Sequence, residues 1–396
     1  MYDAARHSPV AEQPWNAGEA RAAIDEIAAD AVTAFDPDKF WRAHPQDEGA
    51  KGAACLYFGA AGVVWALDYL RRAGIAAAEF DFHPALAAIV ARSTDWIANG
   101  PAAPYAGYGS LLLGDLGALL LSMRLEPERQ TADRIFERAK GNDAMPLAEL
   151  MWGTPGSMIA CVHMRAMTGE ERFAQLFRSQ AKRLLDDLQD DAEGLLWTHE
   201  IYNQRVRYLG AVHGFAGNIA ALLAGWDMLD DAQQARVQAA TVRTLEVQAN
   251  LCDAGTDWPE RASSKPPLLL CQHCHGAPGM ITSLAAAPFS TPQFEALLLG
   301  GGTLTWNAGP LAKGSNLCHG TGGNGYALLK LYRRTGDAVW LERARRFAMT
   351  AIGQVRDART AYGQGRYALW TGDAGLAVYL LDCIRAEAKF PTIDVF

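Results

Sequence analysis

No apolar run in this sequence is long enough to cross a lipid bilayer without interruption. The first residues, Met1 to Pro14, are polar and lack the apolar core that a secretion signal requires. The number of cysteines is odd, seven in 396 residues, which argues against a framework of disulfide bonds. We therefore expect a cytoplasmic protein, in a reducing compartment, with no membrane span.

Positive charge is scarce and is not clustered. Lysine and arginine number 36 against 44 acidic residues, for a net charge of -8, so a nucleic-acid partner is not expected. No Pro/Ser-rich linker interrupts the chain, and half of its residues are hydrophobic, which is ample for a large core. We expect residues 1–18 to form an N-terminal extension and residues 19–396 to form a single domain.

What the sequence does contain is a repeat. Seven Gly-x-x-Gly steps are spread along the chain, and each opens an apolar stretch such as Val63 to Leu67 or Leu376 to Leu381. They begin at Gly59, Gly114, Gly153, Gly214, Gly276, Gly320 and Gly372. A single Gly-x-x-Gly step predicts nothing, whereas seven steps that are each followed by an apolar stretch indicate a structural repeat.

The segments between the glycine steps have a different character. They carry charged residues on one face and apolar residues at three- and four-residue spacing, which predicts amphipathic helices. The segments are Arg21 to Phe35, Pro84 to Ile97, Ala132 to Lys140, Arg172 to Leu188, Ala232 to Ala249, Pro292 to Leu299 and Ala338 to Val355. The stretches after the glycine steps are apolar nearly all round, so outer and inner helices alternate.

Seven outer-inner pairs predict an all-α protein with fourteen helices. An inner helix without a polar face must be enclosed by others, and a closed ring meets that need. We predict an α/α toroid, or barrel, with amphipathic helices outside, apolar helices inside and the glycine loops at one end. An open solenoid is the alternative, but it would require a polar terminal repeat, and the last repeat ends in the apolar Tyr379-Leu380-Leu381.

Two of the glycine steps carry a metal-site pattern. Cys274-His275-Gly276 and Cys318-His319-Gly320 both place a thiol and an imidazole just before an inner helix. Thiolate and imidazole ligands favour zinc, and a helix N-terminus favours the thiolate form. Beside Cys274 and Cys318, four other residues compete as ligands: Cys271, His273, His275 and His319. The spacing does not choose among them, so a closed structural site with three cysteines and one histidine stays open.

The sequence around three of the steps resembles the lanthionine synthetase C family. The segments are Gly210 to Gly217, His273 to Gly279 and Leu317 to Asn324, which carry His-Gly, Cys-His-Gly and Cys-His-Gly in the family's order. The similarity extends along the chain from Gly59 to Gly375. It implies an α/α toroid that binds one Zn²⁺ through two cysteines and the histidine after the second, which here are Cys274, Cys318 and His319.

The resemblance also implies a reaction. Enzymes of this family attach a thiol to the β-carbon of a dehydroalanine or dehydrobutyrine residue in a peptide, which forms a thioether. Three ligands leave one zinc position open, where a substrate thiol can be held as thiolate near neutral pH. The enolate that forms must gain a proton, and His213, which matches the family's histidine in the fourth repeat, can transfer it. The alternative role for His213 is that of a buried histidine capping a helix.

Two positions differ from the peptide-cyclising members. An Asp of those enzymes is replaced by Glu149, which can still orient an imidazole, and an Arg is replaced by Leu270, which cannot stabilise an enolate. Stand-alone LanC-like proteins, which add glutathione to dehydroamino acids in damaged proteins, lack that Arg and carry a lysine where this chain has Lys313. Lys313 is therefore our candidate for binding a carboxylate of glutathione, with a solvated loop lysine as the alternative.

We predict a zinc enzyme that activates a thiol, glutathione's in the first instance, and adds it to dehydroamino acids of a peptide or protein. Ring closure in a modified peptide is the alternative within the enzyme class. A non-catalytic, zinc-dependent protein that binds glutathione or a peptide is the alternative outside it. Some α/α barrels are glycosidases, and Glu149, Glu200 and Asp373 are the candidate carboxylates, but a glycosidase has no need for two Cys-His-Gly loops.

Overall fold

The computed structural model describes residues 2–75, 80–99, 107–201, 203–263 and 266–396, and these contain fourteen α-helices. The odd-numbered helices are α1 (Ala17–Thr33), α3 (Leu86–Asn99), α5 (Arg129–Gly141), α7 (Glu171–Asp186), α9 (Asp231–Gln248), α11 (Pro292–Ala308) and α13 (Ala338–Tyr362). The even-numbered helices are α2 (Ala60–Arg72), α4 (Asp115–Leu125), α6 (Thr154–Thr168), α8 (Phe215–Ala224), α10 (Ala277–Leu284), α12 (Thr321–Thr335) and α14 (Asp373–Arg385). The alternation of outer and inner helices predicted from the repeat is confirmed.

The two sets of helices differ in burial as the residue pattern predicts. In the inner helix α4, eight of eleven residues are buried, because its apolar residues cover every face. In the outer helix α7, Phe173, Phe177 and Leu184 lie on the buried face, while Ser179 and Lys182 are exposed. Each inner helix begins directly after the first glycine of a Gly-x-x-Gly step, with that glycine at the N-cap.

Backbone hydrogen bonds between the glycine loops close the ring at one end. The N–H of Trp370, in the last repeat, donates to the carbonyl oxygen of Tyr57, in the first, at 3.2 Å. The N–H of Tyr57 donates to Leu112 in the second repeat at 2.9 Å, and Cys318 donates to Trp370 at 2.9 Å. The first and last repeats are therefore neighbours, which confirms the closed toroid and excludes the open solenoid.

Within the described ranges, three short antiparallel hairpins lie between helices, and the repeat does not predict them. They pair β1 (Gln189–Asp191) with β2 (Gly194–Leu196), β3 (His199–Ile201) with β4 (Gln204–Val206), and β5 (Asn250–Cys252) with β6 (Gly255–Asp257). Strands of three residues are too short to produce a two-residue periodicity that can be recognised in the sequence.

The sixth outer helix is longer than its sequence pattern indicates. The predicted segment Pro292 to Leu299 continues through three consecutive glycines to Ala308. Glycine is a poor helix former, but the close packing of this helix requires it. A Cβ on Gly300 would lie 2.4 Å from the hydroxyl oxygen of Thr256, and one on Gly302 would lie 2.2 Å from the side chain of Leu331. Tertiary packing therefore outweighs helix propensity here.

The residues before α1 lie against the loop that precedes the Cys318 motif. The N–H of Ser8 donates to Pro310 at 2.8 Å, and the N–H of Ala312 donates to Arg6 at 3.0 Å. Helix α1 begins at Ala17, and the division of the chain at residue 18 stays a prediction. None of the helices in the described part of the chain combines the length and the apolar composition needed to cross a membrane.

Candidate metal centre

The first cysteine lies in a turn that ends where α10 begins. Gly276 has a φ of 109°, and a Cβ there would lie 2.9 Å from the backbone nitrogen of Cys271, so both conformation and space favour glycine. The carboxylate of Asp257, at the end of β6, accepts the backbone N–H of Ala277 at 2.7 Å. Asp257 is fully buried, and its hydrogen bond to Ala277 holds the first turn of the helix that follows Cys274.

The second cysteine lies in the next glycine loop around the ring. The N–H of Cys274 donates to the carbonyl oxygen of Cys318 at 3.0 Å, which places the two loops side by side. The N–H of His319 donates to the side-chain oxygen of Asn316 at 3.0 Å, which holds the turn in place. The sulfur atoms of Cys274 and Cys318 and a ring nitrogen of His319 all lie within 4.8 Å of one another.

Both thiols are nearly enclosed, with Cys274 9% and Cys318 3% exposed. A hydrogen bond from Cys318 lowers the pKa of Cys274 well below its usual value, and His319 lowers it further, against the opposing effect of burial. The same hydrogen bond and burial raise the pKa of Cys318 well above its usual value. The pair can thus carry one negative charge by itself, and a second thiolate requires a cation nearby.

This set of donor atoms fits Zn²⁺. Zinc in proteins prefers thiolate and imidazole ligands, and sites with three protein ligands keep a fourth position for a substrate or water. A divalent cation would also supply the charge that the two buried thiols need in order to ionise together. Across the described ranges, no other group of three His, Cys, Asp or Glu side chains is close enough to share a metal ion.

The other three competing candidates lie outside this cluster. Cys271 is fully buried, and burial raises the pKa of its thiol well above its usual value. His273 stacks on Phe390 with ring centroids 4.4 Å apart, and burial lowers the pKa of its imidazole to about 4. His275 packs beside Tyr208, with ring centroids 5.8 Å apart. The structure therefore gives no support to the closed site with three cysteines.

His213 and Glu149 lie in neighbouring glycine loops and form a pair. The Nδ1 atom of His213 is 2.9 Å from Oε2 of Glu149, and the Glu149 carboxylate also accepts the backbone N–H groups of Met151 at 3.1 Å and Trp152 at 2.5 Å. An ionised carboxylate only accepts hydrogen bonds, so Nδ1 carries the ring hydrogen and Nε2 can exchange protons. The side chain of His213 is 16% exposed, whereas that of Glu149 is fully buried.

Lys313 is exposed and lines a polar cavity of about 280 Å³. Asn316, which holds the backbone of His319, lines the same cavity, so the cavity adjoins the loop that carries Cys318 and His319. Arg366 also lines it, and the Arg366 guanidinium is bound to the carboxylate of Asp47 at 2.6 and 2.5 Å. Lys313 is therefore positioned to contact a ligand that occupies this cavity.

The sequence of this chain is similar to those of known proteins. Residues 104–395 match the family model described as Lanthionine synthetase C-like protein. The chain belongs to the lanthionine synthetase C-like family. A Danio rerio relative named Glutathione S-transferase LANCL1 is 27% identical over 315 residues, which cover 72% of this chain and 74% of the relative. LanC-like protein GCL1 of Arabidopsis thaliana is 31% identical over 196 residues, or 48% of this chain and 44% of the relative.

The solved structure of Nisin cyclase has the same architecture as this LanC-like chain. The two superpose with a TM-score of 0.58 at 14% sequence identity, and the match covers 91% of this chain and 92% of the other. At this identity the likeness concerns the fold alone. It agrees with the α/α toroid, and the family model confirms the resemblance to the lanthionine synthetase C family.

Two side chains that touch the cysteine sulfurs of this LanC-like chain were not predicted. The hydroxyl of Tyr57 donates to Sγ of Cys318 at 2.7 Å, and the amide of Gln272 donates to Sγ of Cys274 at 3.0 Å. Tyr57 lies two residues before the first glycine of its repeat, and each cysteine lies at the same position in its own repeat. This shared position could have indicated that Tyr57 lies near the cysteines. The position of Gln272 carries no such signal.

The carboxylates that a glycosidase would require are engaged elsewhere or lie apart. Asp373 accepts from the guanidinium of Arg359 at 3.2 Å, and Glu149 holds His213. Glu200 is exposed on β3. No observation in the described residues favours the glycosidase alternative over the thiol chemistry of the cysteine cluster.

Proposed function

We propose that this LanC-like chain is a zinc-dependent enzyme that adds a thiol, and in particular glutathione, to dehydroalanine or dehydrobutyrine residues of a peptide or protein. The observation that carries the proposal is the cluster of Cys274, Cys318 and His319, whose donor atoms lie within 4.8 Å of one another. The His213–Glu149 pair supports it, because thioether formation needs a group that transfers protons.

The three ligands would hold zinc at the end of the ring where the glycine loops meet. Zinc bound there would lower the pKa of a thiol placed in its fourth position, so that the thiol is available as a nucleophile near neutral pH. The residues around it then have two tasks, which are to move the protons and to hold the substrates. Burial of both cysteines keeps water away and strengthens these interactions.

His213 is proposed to move the protons. As the sulfur of the thiol bonds to the β-carbon, the thiol loses its proton and the electrons of the carbon–carbon double bond move towards the α-carbon. The α-carbon then takes up one proton, so the product is the sum of the two substrates and no other reactant is consumed. Because Glu149 binds Nδ1 of His213, we assign both proton transfers to Nε2, which accepts the proton of the thiol and returns one to the α-carbon. Glu149 stabilises the imidazolium that exists between the two transfers.

Lys313 is proposed to bind a carboxylate of glutathione. Its side chain lines the cavity beside the Cys318 loop, and a carboxylate there would form a charge-assisted hydrogen bond with its ammonium group. The name of the Danio rerio relative, Glutathione S-transferase LANCL1, favours glutathione as the thiol over a cysteine of the acceptor peptide. The presence of Leu270 in place of the Arg of the cyclising enzymes favours the same choice.

The test is a mass measurement. Zinc-loaded protein is incubated with glutathione and a peptide that contains dehydrobutyrine, and the peptide mass is followed with time. The Cys318→Ala variant, which lacks one metal ligand, is the control for uncatalysed addition. We expect a glutathione adduct that forms with the intact protein at a rate well above that of the control.

Two alternatives give other results. If zinc is bound and no adduct forms with any dehydroamino acid peptide, glutathione transfer is wrong, and ring closure in a dedicated precursor peptide becomes the leading function. If glutathione binds with the same affinity to the His213→Ala variant and neither protein turns over, the chain is a binding protein. Equal adduct formation by the intact protein and the Cys318→Ala variant would contradict the metal-dependent mechanism.

A further inference from the structure

The two cysteine sulfurs of the cluster each receive one hydrogen bond from a side chain outside it. The hydroxyl of Tyr57 donates to Cys318, and the amide nitrogen of Gln272 donates to Cys274, at 2.7 and 3.0 Å. Tyr57 comes from the first repeat, and Gln272 from the loop before the fifth inner helix. Both donors are buried, with 5% and 6% of their surface exposed, so water does not compete with these bonds.

Tyr57 is held firmly in place. Its ring stacks on Trp370 with centroids 5.5 Å apart and an angle of 27° between the planes, and it meets Phe58 edge-on at 4.5 Å. The backbone of Tyr57 donates to Leu112 and accepts from Trp370. Since Cys318 donates its own backbone N–H to Trp370, one residue positions both the hydroxyl and the sulfur.

The orientation of the Gln272 amide is fixed by Arg6. The Nη2 atom of Arg6 donates to Oε1 of Gln272 at 2.8 Å. A guanidinium can only donate, so the oxygen of the amide must face Arg6 and its nitrogen must face the sulfur of Cys274. The guanidinium of Arg6 thus links the segment that precedes α1 to the loop that carries Cys274.

We propose that Tyr57 and Gln272 are positioning residues that allow the cluster to accept a third thiolate. This inference rests on the proposed metal site. Zn²⁺ with two thiolates and a neutral imidazole is electrically neutral, and a substrate thiolate makes the complex anionic in a largely buried place. Hydrogen bonds to the two protein sulfurs withdraw electron density from them and stabilise the added charge. Without these donors, the cluster still binds the metal but binds a thiol more weakly.

The test uses the full chain loaded with Co²⁺, whose charge-transfer absorption reports on the bound sulfurs. The variant Tyr57→Phe retains the ring and loses the hydroxyl, and Gln272→Met retains the approximate size and loses the amide. Removing a donor raises the energy of the sulfur lone pairs, so we expect the sulfur-to-cobalt band to move to longer wavelength with its intensity preserved. We also expect glutathione to bind about tenfold more weakly or worse, within the range that such partners contribute.

Tyr379→Phe is the matched control. Tyr379 is also fully buried, and its hydroxyl donates to the carbonyl oxygen of Ala344, away from the cluster. We expect this variant to lose some stability and to leave both the absorption band and the glutathione affinity unchanged. Arg6→Met should produce a smaller shift than Gln272→Met, because the amide remains but is no longer held.

The outcomes separate this inference from the proposed function. An unshifted band and unchanged glutathione affinity in Tyr57→Phe and Gln272→Met, with cobalt bound, overturn the inference and leave the metal site intact. If Tyr57→Phe does not fold, the Gln272→Met result decides. If the unmodified protein shows no sulfur-to-cobalt band, the metal site itself is wrong and the inference is overturned with it. Normal thiol binding to cobalt without turnover contradicts only the proposed reaction.

Discussion

The carboxylate of Glu149 orients the imidazole ring of His213. The carboxylate of Glu149 binds Nδ1, and the backbone N–H groups of Met151 and Trp152 hold that carboxylate in turn. This contact orients the imidazole ring, and in the proposed reaction Glu149 would stabilise the ring while it carries the second proton. The difference between Glu149 and the Asp of the cyclising enzymes does not remove this contact.

Replacing Glu149 with Gln tests the pair. We expect the rate of glutathione addition to fall about 10²-fold, because the amide neither selects the tautomer nor stabilises the imidazolium, and His213→Ala should lose about 10²- to 10⁴-fold. Zinc content, measured by elemental analysis, should be unchanged in both variants. Glu200→Gln, on exposed β3, is the matched control and should keep the full rate. A fully active Glu149→Gln variant would exclude the pair from the mechanism.

Lys313 acts, in our proposal, through charge alone. Because it is exposed, its ion pair with a carboxylate is screened, and we expect Lys313→Met to weaken glutathione binding only about three- to tenfold. Calorimetric titration of the zinc-loaded protein measures this. The effect should decrease as salt is raised. Lys182→Met, a lysine on the outer helix α7, should bind as the unmodified protein does, and an equal loss in both variants would assign the effect to net charge.

Among the helices and loops, the start of α10 brings the first cysteine to the cluster. Gly276 has a positive φ, and the buried carboxylate of Asp257 accepts the first N–H of the helix. Burial raises the pKa of Asp257 to about 6. The hairpin of β5 and β6 supplies this carboxylate, which gives one of the unpredicted strands a definite structural role.

A comparison of two glycines tests this geometry. Gly169 has a φ of 71°, and a Cβ added there would meet no atom within 4 Å, whereas a Cβ on Gly276 would lie 2.9 Å from a backbone nitrogen. We expect Gly169→Ala to cost about 1 kcal/mol of unfolding free energy, from the left-handed conformation alone. Gly276→Ala should cost about 2–3 kcal/mol or more and should also weaken zinc binding. Both can be measured by urea unfolding and by competition with a chelator, and equal costs would contradict the steric argument.

Across the molecule as a whole, the last inner helix joins the ring to the segment that follows it. Asp382, on α14, accepts the backbone N–H of Lys389 at 2.7 Å and is fully buried. Burial raises the pKa of Asp382 to about 7, against the lowering effect of that hydrogen bond. The segment from residue 386 onwards, including the buried Phe390 that stacks on His273, is therefore held by a carboxyl group that titrates near neutral pH.

This raised pKa predicts a dependence of stability on pH. Between the usual pKa of 3.8 and about 7, the unfolded chain has lost the proton of Asp382 while the folded chain retains it, so the stability contributed by this group decreases as the pH rises. The full change is about 4 kcal/mol at most. The Asp382→Asn variant lacks this change, so its stability relative to the unmodified protein should increase between pH 4.5 and pH 7.5. Urea unfolding at both pH values measures the difference, and a constant difference would contradict the prediction.

The repeat, the number of helices and the closure of the ring follow from the amino-acid sequence alone, since these depend on the spacing of residues along the chain. An inner helix that is apolar on every face has few ways to be buried, and seven of them require a ring. The pattern also predicted the two cysteine loops and His213 as parts of a site, and the fold brings the two cysteine loops side by side. The pattern did not predict where some helices end, such as α11. It also did not predict the hairpins, because strands of three residues are too short to show a period.

Which side chains meet is determined by the folded chain and not by residue spacing. Spacing did not separate His319 from His273 or His275, because all three stand beside a cysteine, yet only His319 lies with the two sulfurs. Tyr57 is 261 residues away from Cys318 along the chain and 2.7 Å away in space. The glycine triplet of α11 resembles a helix break in the sequence and is a packing surface in the fold. Contacts of this kind form when the ring closes and brings the loops of different repeats together, so they cannot be predicted from the local sequence around each residue.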